Sequence, residues 1–164
     1  DYIMYYTILT GATNPVLRSI ADPIEHFGDE VLKLARDMKL VCHQYDGVWL
    51  AAPQIGIPLR IIYTTQRKKT AKWLKYIADQ IMINPTILLD SGTMSSDIEW
   101  CLSLPWLEGK VRRFDRVKVS YQDIAGKTTN KIFKWFDARV IQHEIDHLDG
   151  ILYIDKATSI SKAS

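Results

Sequence analysis

The stretch from Ala138 to Leu148 constrains the fold most. Ala138, Ile141, Ile145 and Leu148 recur at helical spacing, and Gly150 follows as a stop. A helix with such an apolar side must lie against a core. The same stretch carries His143-Glu144-Ile145-Asp146-His147, so two histidines four residues apart face one way, with Cβ atoms about 5–6 Å apart. Both imidazoles can reach one cation without bending the backbone. Glu144 sits where the H-E-x-x-H pattern puts a catalytic carboxylate, near a cation's water yet not a ligand. Two histidines at this spacing also arise by chance on solvated helices. The intervening Glu and the helix-compatible flanks favour metal-dependent hydrolysis.

A catalytic metal keeps one position open for water or substrate, so a third protein ligand is needed. Cys42, His43, His26, Cys101 and several carboxylates are candidates. Cys42 and His43 fall at the end of a helical stretch, where a small apolar Cys is usually core. His26 lies in a charged segment and reads as a surface residue. Cys101 lies in Ile98-Glu99-Trp100-Cys101-Leu102-Ser103-Leu104-Pro105, whose mixed polarity fits a strand running into a loop.

Upstream, residues 23 to 45 read as an amphipathic helix on Val31, Leu34, Ala35, Met38 and Val41, ended by Asp46-Gly47. Leu59 to Tyr63 reads as a strand, and the lysine-rich stretch from Thr64 to Asp79 as an inserted loop with a little helix. Ile81-Met82-Ile83 and Ile87-Leu88-Leu89 read as two strands parted by Asn84-Pro85. Arg116 to Tyr121 and Lys131 to Phe136 alternate as half-buried strands around a turn at Ala125-Gly126. The tail after Asp155 carries little signal. Strands preceding one strongly patterned helix predict an α+β fold with mainly antiparallel sheets, in a single domain over residues 1–164.

Composition narrows the function. A hydrophobic fraction of 47% excludes a largely disordered chain, and a net charge of +2 gives no footprint for nucleic acid or an anionic membrane. No apolar run approaches the ~20 residues that cross a bilayer. Two cysteines are too few for a disulfide framework, so free thiols in a reducing compartment are expected. The opening Asp1-Tyr2-Ile3-Met4 lacks signal-peptide character. A start other than Met fits a mature or trimmed chain from which a targeting segment has gone.

Three segments together resemble the peptide deformylase family. Gly47-Val48-Trp49-Leu50-Ala51-Ala52-Pro53-Gln54 is similar to its G-x-G-L-A-A-x-Q motif, Glu99-Trp100-Cys101-Leu102-Ser103 to its E-G-C-L-S motif, and Gln142 to Leu148 matches Q-H-E-x-D-H-L throughout. Asn14-Pro15-Val16-Leu17-Arg18 is similar to the family's D-P-V-L-R start. The resemblance implies antiparallel sheets packed around a central helix carrying the histidines. It implies a metal held by Cys101, His143 and His147, natively ferrous iron, with zinc, nickel or cobalt as substitutes. The implied reaction removes the N-formyl group from the initiator methionine of nascent polypeptides, releasing formate. Glu144 would move the protons, and the Gln54 amide and Leu102 N–H would hold the oxyanion. Asp146 would orient a ligand or pair with a cation such as Arg113.

The resemblance also places a methionine pocket, built from Val48, Phe136, the aliphatic stem of Arg139, Val140 and His143, with Glu99 near its rim. Two motif glycines are tryptophan here, Trp49 and Trp100. The indoles either flank the cleft and reshape the peptide path or turn away into core or solvent, and a need for positive φ would strain them. Glu108 stands where many members have a basic residue. Arg139-Val140-Ile141 resembles organellar and type 1 members. The implied partners are formyl-methionyl nascent peptides near the ribosome exit, with no nucleic acid or membrane, and the enzyme a monomer or weak dimer. The implied compartment is an organelle matrix (mitochondrion or plastid-type) or a bacterial cytoplasm. A metal-dependent amidase of altered specificity and a non-catalytic homologue that binds peptide or ribosome are the rival readings.

Overall fold

A computed structural model describes residues 6–69, 71 and 74–163; Asp1-Tyr2-Ile3-Met4 and Trp73 lie outside the described residues. Helix α1 (Asp29–Gln44) precedes strands β1 (Trp49–Ala51), β2 (Ile61–Lys69), β3 (Leu74–Asp90), β4 (Met94–Glu99), β5 (Leu107–Phe114), β6 (Arg116–Gln122) and β7 (Thr128–Lys134). Helix α2 (Trp135–Leu148) and β8 (Ala157–Lys162) complete the order. One sheet runs β1-β2-β3-β6-β7 and the other β4-β5-β8, and every pairing within them is antiparallel. This is the expected α+β architecture.

Strand alternation explains the layering. Ile62 and Met82 pack with Val117, Val119 and Phe133 against Ala138, Ile141, Ile145 and Leu148 of α2. The intervening residues Ile61, Tyr63 and Ile83 pack with Val31, Leu34, Met38 and Val41 of α1. Successive side chains in a strand point to opposite faces, so the five-stranded sheet separates the two helices. A third cluster of Leu17, Cys101, Leu104, Val111, Leu152 and Tyr153 ties the smaller sheet to the rest. Gly150, at φ +70, turns the chain away from α2 with only 2.5 Å between an ideal Cβ and the Arg18 carbonyl oxygen, so the stop requires glycine.

Several boundaries differ from the sequence expectation. Helix α1 starts at Asp29, because residues 21–24 are held extended by the Asp22–Leu59 bridge and by the Asn84 side chain on Ile24. The stretch from Thr64 to Asp79 is no helical insert: its described part is the ribbon of β2 and β3, from Thr64 opposite Gln80 to Lys69 opposite Leu74. Backbone pairing needs no apolar face, so hydropathy missed it. The two strands read around Asn84-Pro85 are one, since Asn84 at φ 51 and a register shift carry β3 past the proline. Strand β7 ends at Lys134, and Phe136 belongs to the first turn of α2. The tail forms β8, paired with β5.

Candidate active site

Helix α2 packs on the five-stranded sheet and also reaches β5. Of its residues from Ala138 to Leu148, all but Val140 are buried, including Arg139, Gln142, His143, Glu144, Asp146 and His147. A helix that buries its polar side must satisfy those groups within the protein. Its side-chain partners come from β4, β5, the turn after β4 and Lys156.

Glu99, at the end of β4, is 6% exposed and holds the network together. It accepts from Arg113 Nε and Nη2, each at 2.9 Å, from Arg139 Nη1 at 2.8 Å, and from His143 Nδ1 at 2.8 Å. Glu99 also borders the cavity, but its carboxylate is spent on these buried cations. Burial alone would raise its pKa, but the Arg113 and His143 hydrogen bonds hold it well below the usual carboxylate range. An ionised carboxylate only accepts, so Nδ1 of His143 carries a proton and Nε2 is the nitrogen left to face a metal. Asp146 accepts from Arg113 at 2.6 Å, the partner expected for it, and from Lys156 at 2.8 Å.

Cys101 lies in the turn after β4, where Leu104 N–H donates to its carbonyl at 3.0 Å. Its Sγ is 3.3 Å from His147 Nε2, and ligand atoms of Cys101, His143 and His147 all lie within 4.8 Å of one another. A tetrahedral cation about 2.3 Å from sulfur and 2.1 Å from nitrogen separates such donors by roughly 3.6 Å, so this trio fits one. Burial pushes His147 well below its ordinary value, leaving a neutral ring ready to ligate. Burial also lowers His143, but hydrogen bonds to Cys101 and Glu99 outweigh it and raise the ring to about 10. Anionic neighbours that favour a proton there favour a divalent cation in its place. Cys42 and Cys101 both carry thiols, and Cys42 lies in the α1 core.

Glu144 is 5% exposed; its Oε2 has no hydrogen-bond partner among the described residues, and burial raises its pKa to about 7. Gln54 is aimed at the same point. Ala51 N–H donates to its Oε1 at 3.0 Å, which turns Nε2 toward Cys101 Sγ at 3.4 Å and Ser103 Oγ at 3.3 Å.

These groups open on a cavity of about 400 Å³. Val48, Trp49 and Gln54 wall it on one side, Glu99 to Leu102 on another, and Phe136, Arg139, Val140, His143 and Glu144 on a third. His147 does not line it. Arg139 contributes its stem, since its guanidinium is tied to Glu99, Val111 O and Ser95 O. Trp49 and Trp100 both flank the cleft, and neither has positive φ; Trp49 is half-buried and Trp100 is 64% exposed. Sequence reasoning missed Ser103 as a partner of Gln54. It also missed Tyr153, whose ring stacks on His143 at 5.8 Å, because its segment bears no motif.

The sequence profile described as polypeptide deformylase matches residues 6–163. A peptide deformylase of Dictyoglomus thermophilum is 40% identical over 144 residues, covering 88% of each chain. One from Brucella suis is 37% identical over 91% of this chain and 83% of its own. Among solved structures, a class I type b peptide deformylase from Acinetobacter baumannii with bound Met-Ala-Ser superposes with a TM-score of 0.84 at 31% identity, covering 94% of this chain and 99% of its own. The Plasmodium falciparum peptide deformylase complexed with an inhibitor gives 0.81 at 37% identity, over 93% and 90%.

Proposed function

The chain belongs to the polypeptide deformylase family and removes the N-formyl group from nascent peptides, and from that premise we propose how its residues do so. Cys101, His143 and His147 hold the metal, ferrous iron, with zinc, nickel or cobalt able to substitute. One thiolate beside two imidazoles suits all four. Such a cation supplies Lewis acidity and makes hydroxide available near neutral pH.

Glu144 takes a proton from the attacking water, whose oxygen adds to the formyl carbon. The carbonyl oxygen becomes an oxyanion that accepts from Gln54 Nε2 and the Leu102 N–H. Glu144 then passes the proton to the amide nitrogen, the C–N bond breaks, and formate and a free amine leave. The observation that carries this is the convergence of a Glu144 carboxyl, raised to about 7 and with no partner for Oε2 among the described residues, with the Gln54 amide beside the Cys-His-His trio.

Val48, Phe136, the Arg139 stem and Val140 receive the methionine side chain. Strands β1 and β4 are edge strands of their sheets and border the cavity, so an extended peptide pairs between them. The family match over residues 6–163 supports one catalytic domain. Formylated chains leaving the ribosome occur in bacterial cytoplasm and in organelles such as the mitochondrion, and the enzyme works in such a compartment. The test is Glu144→Ala. It should retain one equivalent of metal while formate release falls on the order of 10²–10⁴-fold. Unchanged release would remove Glu144 from the mechanism.

A further inference from the structure

We propose that positions 49, 100, 106 and 135 are glycine in the chain as its source organism makes it. Each would be encoded by a codon that the source reads as glycine and other decoding reads as tryptophan. UGA is such a codon, ordinarily a stop but assigned to tryptophan in some bacteria and to glycine in others.

The sequence has five tryptophans, of which all but Trp73 lie among the described residues. All four of these occupy glycine-like positions. Trp49 and Trp100 stand where the deformylase motifs have glycine. Trp106 has φ 72 and Trp135 φ 55. Five glycines also have positive φ, and among the described residues the other left-handed positions are Asp46 and Asn84, types that tolerate that region. The two bulky residues found there are both tryptophan.

Burial agrees with the backbone. Tryptophan is among the most buried residue types on average, yet Trp100, Trp106 and Trp135 are 64%, 80% and 72% exposed. An aromatic docking face would account for exposure. It would account neither for left-handed backbone at two positions nor for a motif glycine at the other two.

Glycine has a use at each place. At 106 it makes the left-handed turn between Pro105 and β5, and at 135 it joins β7 to α2 without strain. At 49 and 100 it leaves the backbone bordering the cavity open to a peptide from both sides. For 49 and 100 the inference rests on the deformylase reading; for 106 and 135 it rests on backbone geometry alone.

Peptide mapping by mass spectrometry of the chain isolated from its source tests the assignment without reference to activity. Glycine at all four positions is expected, each peptide lighter by the indole side chain, and tryptophan at any one overturns the proposal. Glycine there with no deformylase activity would sink the functional reading alone. In recombinant metal-loaded protein, Trp106→Gly with Trp135→Gly should raise the urea midpoint. Trp49→Gly with Trp100→Gly should raise kcat/KM on formyl-Met-Ala-Ser by about tenfold or more. A failure of both gains would equally overturn it.

Discussion

Arg113 is 2% exposed and donates three charge-assisted hydrogen bonds, two to Glu99 at 2.9 Å and one to Asp146 at 2.6 Å. Replacing it in Arg113→Met keeps much of the volume and strands part of two buried carboxylates. Each lost bond is worth about 1.5–3 kcal/mol. The full sum overstates the effect, because Glu99 keeps Arg139 and His143, and Asp146 keeps Lys156. Breaking a buried ion cluster from one side costs about 3–5 kcal/mol, and that is the expected loss. In a domain of this size it lowers the melting temperature by about 10 °C. Urea unfolding of the metal-loaded protein, followed by circular dichroism, measures the loss. The double change Arg113→Met with Asp146→Asn should recover part of it, because Glu99 keeps Arg139 and the Lys156 that loses Asp146 is exposed to water. A loss under about 1 kcal/mol, or no recovery, would refute the claim that this cluster holds unpaired charge at bay. His143 also leans on Glu99, so turnover should fall about 10–100-fold through misorientation of the ring.

Gln54→Ala should lower turnover on the order of 10²–10³-fold with little change in metal content, read by formate release and elemental analysis. Gly150→Ala should destabilise the fold by more than about 2 kcal/mol in urea titrations, since its Cβ would lie 2.5 Å from the Arg18 carbonyl oxygen at φ +70. Chelating the metal should lower the melting temperature, and restoring a divalent cation at about 100 times its Kd should return about 2.7 kcal/mol.

The helix of His143 and His147 was legible because its apolar spacing is local and its histidines share that period. Gln54, Cys101 and Leu102 were legible only through their motifs, since each sits in irregular backbone with no period to read. The role of Glu99 as the hub of a buried network was not legible, because its partners Arg113, Arg139 and His143 lie 14, 40 and 44 residues away and nothing near it in the chain announces them. The β2–β3 ribbon was hidden for a related reason. Its pairing is made by backbone groups, while its lysine-rich composition reads as a solvated loop. Strand β8 is exposed along most of its length and joins the sheet through its main chain, so hydropathy could not find it.

Formate release from formyl-Met-Ala-Ser by the metal-loaded protein, purified without oxygen to spare Cys101, is the deciding measurement. Stoichiometric formate and free Met-Ala-Ser are expected, with no hydrolysis of acetyl-Met-Ala-Ser and loss of release when the metal is chelated. Fully metal-loaded protein that releases no formate would contradict deformylation at this site.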